Sequence, residues 1–117
     1  MTMSNARNNH PPCSNEVLQQ LFEKRELVKR APGALGYEDE QTGGQLAKGA
    51  ACYAMTAAVQ IANGHDFTPP CYVHKDWPFR REEFFPNKPA RENLISAALF
   101  IIAEIERLDR AIMRKRN

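Results

Sequence analysis

The chain reads as an all-α protein of three main helices, and three observations predict this. Apolar residues recur at three- and four-residue spacing near each end of the sequence. The alanine-rich segment between them stops at a glycine. Nothing alternates apolar and polar long enough to read as a sheet. At 117 residues, 43% hydrophobic and 26% charged, the composition is that of one globular domain with an adequate core. We divide it into a polar, loose arm over residues 1–13 and a helical domain over 14–117.

The first helix is expected from Ser14 or Asn15, either of which can cap it, to about Arg30. Val17, Leu18, Leu21, Phe22 and Val28 lie on one side, and Pro32 and Gly33 end it. GALGYEDEQTGG (33–44) reads as a glycine-punctuated acidic loop carrying Tyr37. The second helix should run from Thr42 or Gly44 to Asn63, with Gly64 as its left-handed cap. Ala47, Gly49, Ala50, Ala51, Ala54, Ala57 and Ala58 make it a helix of small residues. Such a helix admits close neighbours on several sides, and Gly49 marks one close contact.

The third helix opens at Pro89, with Asn87 as its expected cap. Leu94, Ala98, Ile101, Ile105, Leu108 and Ile112 follow alternating steps of four and three, the spacing of a coiled-coil seam. Ile95, Leu99 and Ile102 form a second stripe beside it. One stripe can serve the core and leave the other for a partner subunit. Three helices give a thin core, so completion by homo-oligomerisation is expected.

Between the second and third helices lies a connector of over twenty residues, which is long for a compact domain. Its end, DWPFRREEFFPNKPARENL (76–94), is interrupted by Pro78, Pro86 and Pro89 and cannot be one helix. Trp77, Phe79, Phe84 and Phe85 are too many aromatics to leave in water. One reading makes them a hydrophobic strap closing the core. The other makes them a ligand wall, with aromatic faces for a base and Arg80, Arg81 and Lys88 for phosphates. Glu82 and Glu83 are competing partners for the arginines.

Charge and cysteine usage exclude several classes. A net charge of +2 does not argue for a nucleic-acid partner, and the terminal RKRN reads as a solvated run. No apolar stretch nears the roughly 18 residues of a membrane span, and the N-terminus lacks a signal peptide's apolar region. Cys13, Cys52 and Cys71 show no paired spacing, so they read as reduced thiols in a cytoplasmic setting. Cys71 and His74 would need further ligands to hold zinc, with His65 the one nearby candidate. His10, His65 and His74 show no nucleophile partner, and no phosphate loop is present. No catalytic residue, metal or cofactor is therefore assigned. Glu38, Asp39 and Glu40, with Glu104, Glu106 and Asp109, could in principle hold Mg²⁺ as in helical nucleotide pyrophosphohydrolases. The Glu23/Glu26 and Glu106/Asp109 pairs have the spacings of such enzymes, but about 80 residues separate them. Glu106 with Arg110, one turn on, reads as an ordinary surface pair.

EKRELVKRAPGALGYEDEQTGGQLAKGAACYAM (23–55), the WPF of the connector and ARENLISAALFIIAEIERLDRAIMRKR (90–116) together resemble a group of small phage and prophage proteins. The resemblance covers about residues 22 to 113 and is most specific in the final helix. Gln45 stands where that group usually has glutamate, and FFP (84–86) replaces a Trp-Lys-Pro. The resemblance implies a phage accessory protein acting in the cytoplasm of an infected bacterial host. By analogy with small oligomeric phage proteins, it implies sequestration of a nucleotide-type immune signal, a cyclic dinucleotide or cyclic ADP-ribose derivative, without cleavage. The site so expected has Trp77 and Phe79, with Tyr37 or Tyr53, on the base. Arg80, Arg81 and Lys88 take the phosphates, and Glu38 or Asp39 takes the ribose hydroxyls. The alternatives are a Mg²⁺-dependent nucleotide hydrolase and a protein-binding inhibitor of a host defence complex.

Overall fold

The computed structural model describes residues 14–69 and 71–116. It is helical: α1 Ser14–Arg30, α2 Ala34–Asp39, α3 Gln45–Asn63 and α4 Ala90–Arg116, with one 3-10 turn at Arg81–Glu83. The three long helices are those expected, and no strand occurs among the described residues. The arm over 1–13, with His10 and Cys13, lies outside them. Ser14 and Asn15, expected as caps, both fall inside α1.

The first correction is α2. Gly33 adopts φ +79°, a left-handed turn that favours glycine, and its carbonyl accepts the Tyr37 amide at 2.9 Å. The acidic loop thus becomes a helix of under two turns. A helix this short is not stable on local propensity. It is held by tertiary ion pairs from Glu38 and Asp39, described below.

Helices α3 and α4 pack antiparallel, with Gly49 beside Phe100 and Gln60 beside Asn93. A Cβ on Gly49 would sit 3.2 Å from the Phe100 ring, which explains the glycine. Gly64 caps α3 at φ +72°. The close approach covers one side of α3: Leu46, Ala50, Cys52, Tyr53, Ala57 and Gln60 are buried, whereas Ala47, Ala51 and Ala58 are open. The small residues therefore do not mark contact all round.

The connector is strapped over this pair. Tyr53 is its anchor, with ring centroids 4.9 Å from Phe84, 5.6 Å from Trp77 and 6.0 Å from Phe100. Its hydroxyl accepts the Phe85 amide at 2.9 Å. The Trp77 indole donates to the Arg80 carbonyl at 2.9 Å, so its polar edge is satisfied as well. At the strap's ends Gln60 donates to the carbonyls of Asp66 and Lys88 at 2.9 and 3.0 Å. Asn93, fully buried, donates to Gln60 Oε1 and the Pro86 carbonyl. Side-chain amides here replace the backbone partners that a loop between proline residues lacks.

The cap of α4 is a second correction. Asn87 accepts a hydrogen bond from the Thr68 hydroxyl, while Asp66 Oδ1 accepts the Ala90 amide at 2.9 Å. A carboxylate suits the positive end of a 27-residue helix better than a neutral amide does. The bulges of chain between residues 63 and 89 bring it there, which local spacing could not foretell.

The two stripes of α4 separate cleanly. Ile95 is buried and Leu99 and Ile102 are half-buried, so the second stripe is the inward one. The seam faces outward. Leu94, Ile101, Ile105, Leu108 and Ile112 are 45–53% exposed.

Substituting Gly49→Val should destabilise the fold by about 1–3 kcal/mol, because the new methyls meet the Phe100 ring. In urea denaturation, the double variant Gly49→Val with Phe100→Leu should recover part of that loss. An unchanged midpoint for Gly49→Val alone would show that α3 and α4 are not in close contact there.

Candidate functional site

Two side chains with no local reason to meet build one wall of a cleft. Arg25 of α1 is 4% exposed and points between α2 and α4. Its guanidinium donates to both oxygens of Glu38, at 2.7 and 2.8 Å, and twice to Glu106 Oε1, at 3.1 and 2.8 Å. The bond to Glu38 holds the Arg25 pKa above the ordinary arginine value despite burial. A planar fork gripping carboxylates suits arginine and not lysine. Beside it Arg110 donates to Asp39 at 3.0 and 2.8 Å, and Arg114 reaches the other Asp39 oxygen at 3.4 Å. The Arg110 hydrogen bond lowers the Asp39 pKa. Glu106 thus pairs with Arg25 on another helix and Arg110 with Asp39. The expected Glu106–Arg110 surface pair is replaced by longer-range partners. Glu104 pairs with Arg107 at 2.7 Å.

The opposite wall comes from the connector and the first half of α4. Lys88 lies with its ammonium 4.7 Å from the centre of the Tyr53 ring and 2.6 Å from Ser96 Oγ. Burial lowers its pKa. Among the described residues no carboxylate forms an ion pair with it. Glu92 acts on it only from longer range, and the near neighbours of the ammonium are the Tyr53 ring, in a cation–π contact, and Ser96.

Between these walls opens a cleft of about 530 Å³, a volume typical of small-molecule sites. Its floor includes Leu46, Leu99 and Ala103, and Tyr37, Tyr53, Phe85 and Phe100 line it. Lys88 meets α4 at Ser96 and Arg25 meets it at Glu106. That places the two polar groups about 15 Å apart along the helix.

The cleft collects some of the expected site residues and leaves others outside. Tyr37, Glu38, Tyr53 and Lys88 line it. Trp77 and Phe79 do not. They are half-buried in the aromatic cluster, 5.3 Å apart, with Phe79 also 5.9 Å from Phe100 and 6.4 Å from Tyr37. Arg80 and Arg81 are exposed on the strap, where Arg80 approaches Glu82 at 3.8 Å. Both oxygens of Glu38, and both of Asp39, already serve arginines.

Phe85, which the sequence reading set among the ligand-wall aromatics but left out of the expected site residues, lines the cleft. It is 65% exposed beside a buried Phe84. The signal was available: neighbours in an extended stretch point to opposite sides, so one of two adjacent phenylalanines must face away from the core. Tyr37, at 49% exposed, is the other ring with a free face at the cleft. Burial, with Glu83 and Glu40 nearby, raises its hydroxyl pKa, so it is a neutral donor at ordinary pH. Tyr53 has less to offer, since Phe84, Trp77, Phe100 and Lys88 surround its ring.

Among the described residues no three His, Cys, Asp or Glu side chains stand close enough to hold a metal ion together. Burial raises the pKa of the Cys52 thiol, and His65 and His74 each accept a nearby backbone amide through Nδ1. No helix of the described residues is long and apolar enough to cross a membrane. No protein-family model matches the chain, and neither a curated protein nor a solved structure matches it significantly.

Replacing Arg25 with alanine should cost about 3 kcal/mol or more, because Glu38 is left buried without its cation. Helical content measured by circular dichroism should fall with it as α2 melts. Asp39 gives a pH signature. Its pKa is lowered in the fold, so its contribution is complete above the unfolded value of about 3.9 and disappears as pH falls through the folded value. An Asp39→Asn variant should be less stable than the parent at neutral pH, and the gap should close below about pH 4. A gap that persists unchanged at pH 2 would contradict the ion-pair assignment.

Proposed function

We propose that the protein binds a nucleotide-type small molecule in this cleft and sequesters it without cleaving it. The observation that carries the reading is Lys88: a half-buried cation with no carboxylate at ion-pair distance among the described residues, set in an aromatic cleft. Apolar walls with one convergent charge suit a flat ring bearing an anionic group. Tyr37 and Phe85 offer the ring its faces, and Lys88 takes a phosphate oxygen with a charge-assisted hydrogen bond. Trp77 and Phe79 act behind them as packing that holds the strap in place. Glu38 acts through Arg25 as the fixed far wall. Sequestration rather than hydrolysis is favoured because Glu38, Asp39, Glu104 and Glu106 each face an arginine. That arrangement neutralises the carboxylates instead of gathering them around a cation. The resemblance to small phage proteins gives the setting: a phage-encoded anti-defence role, in the host cytoplasm, against a nucleotide immune signal. A homo-oligomer is the expected working form.

The test is a depletion experiment. The protein is incubated with cyclic dinucleotides, ADP-ribose derivatives and nucleoside triphosphates, with and without Mg²⁺, then removed by filtration and heated. One ligand should vanish from the filtrate and return intact on heating. Lys88→Met and Phe85→Ala should each weaken its retention about 10- to 100-fold, while the Arg80→Ala, Arg81→Ala double variant retains it. A new product would establish the hydrolase instead. Full retention of every compound in the filtrate would remove the cleft as a nucleotide site and favour the protein-binding inhibitor.

A further inference from the structure

The outward seam of α4 is a separate feature, independent of the cleft and on a different face of the helix. From Leu94 to Ile112 it runs about 27 Å, and its five large aliphatics are each about half exposed. Leu18 and Phe22 of α1, 62% and 61% exposed, lie against the neighbouring side of α4. They line a groove of about 280 Å³ with Ile102 and Glu106, one helical position on from Ile101 and Ile105. A contiguous apolar strip of this length exceeds what a monomer ordinarily leaves in water. The molecule is also thin, measuring 53 × 36 × 22 Å with a radius of gyration of 16.8 Å. A compact chain of this length has about 13 Å.

We infer that the seam pairs with the seam of a second copy, and that the two α4 helices run antiparallel about a two-fold axis between Ile101 and Ile105. Three features select this occupant and orientation. The four–three spacing is what a helix needs to keep one face against another helix, and here it is held over six positions. Antiparallel register sets Ala98 of one copy against Leu108 of the other, so a small residue meets a large one, and Ile101 meets Ile105. Parallel register would set Ala98 on Ala98 and leave a gap at the centre of the contact. Charge gives the same answer. In the parallel pair the basic ends Arg114, Lys115 and Arg116 lie together. In the antiparallel pair the basic ends lie at opposite ends of the contact, and the helix dipoles oppose. The interface is isologous, as a two-fold dimer requires.

The full chain should sediment at twice its chain mass. Ile105→Glu should weaken the dimer about 30-fold or more with no loss of helical signal, because the side chain is exposed within the single chain. Orientation is read by disulfide trapping in a Cys13→Ser, Cys71→Ser background. Ala98→Cys protein mixed with Leu108→Cys protein should cross-link, and Ala98→Cys alone should not. A monomer at the highest attainable concentration would overturn the inference. So would an assembly untouched by Ile105→Glu, and self-linking of Ala98→Cys in place of the mixed product would overturn the antiparallel orientation.

Discussion

A single guanidinium decides where α1 and α2 sit against α4. Most apolar side chains of α1 are exposed, so hydrophobic burial alone fixes the helix poorly against its neighbours. Arg25 supplies the position. Its fork is satisfied by Glu38 on α2 and Glu106 on α4 together. A buried ion cluster adds little net stability, because desolvation offsets attraction. Its value lies in specificity: any sliding of α1 along α4 would strand a buried charge. The neighbouring Arg110–Asp39 pair repeats the device one turn along α4.

The cleft is a consequence of two different kinds of bonding on its two sides. One wall is held by charge, through Arg25 and Arg110. The other is held by aromatic packing on Tyr53 and by side-chain amides that grip the strap at both ends. Neither wall has to cover the other, and the gap between them stays open. Lys88 sits where these regimes meet. Its backbone carbonyl belongs to the Gln60–Asn93 network, while its ammonium is left in the cleft beside Tyr53 and Ser96. A backbone so constrained positions the charge with no carboxylate at ion-pair distance among the described residues, which is the preorganisation that anion binding requires.

Cleft and seam occupy different faces of α4. Ser96, Leu99 and Ala103 turn toward the cleft, and Ile101, Ile105 and Leu108 turn away from it. Self-association through the seam therefore leaves the cleft accessible in each copy. An antiparallel pair would present two clefts on its outer sides, related by the two-fold axis. Such a body carries two equal sites per dimer without needing either site to be shared.

Much of the fold was legible in the sequence. The three long helices, the glycine that ends α3, the close contact at Gly49 and the packed strap all follow from periodicity, turn chemistry and the cost of exposing aromatics. The double stripe of α4 could be read too, though not which stripe faced the core. Helix α2 was not legible, because six residues broken by Gly36 carry no periodic signal of their own. The cap of α4 was misplaced for a similar reason, since Asp66 reaches it from 24 residues away. The candidate site divides along the same line. Residue type alone singled out Tyr37, Glu38, Tyr53 and Lys88, which do line one cleft. It also singled out Trp77, Phe79, Arg80 and Arg81, which the strap turns into the core or out to solvent. Sequence by itself determined the three long helical segments and that most of the connector's aromatics must pack, because those depend on spacing and polarity. The tertiary structure alone decided which charges are paired and which are left over. That depends on which distant carboxylates each cation can reach, and among the described residues Lys88 comes within ion-pair distance of none.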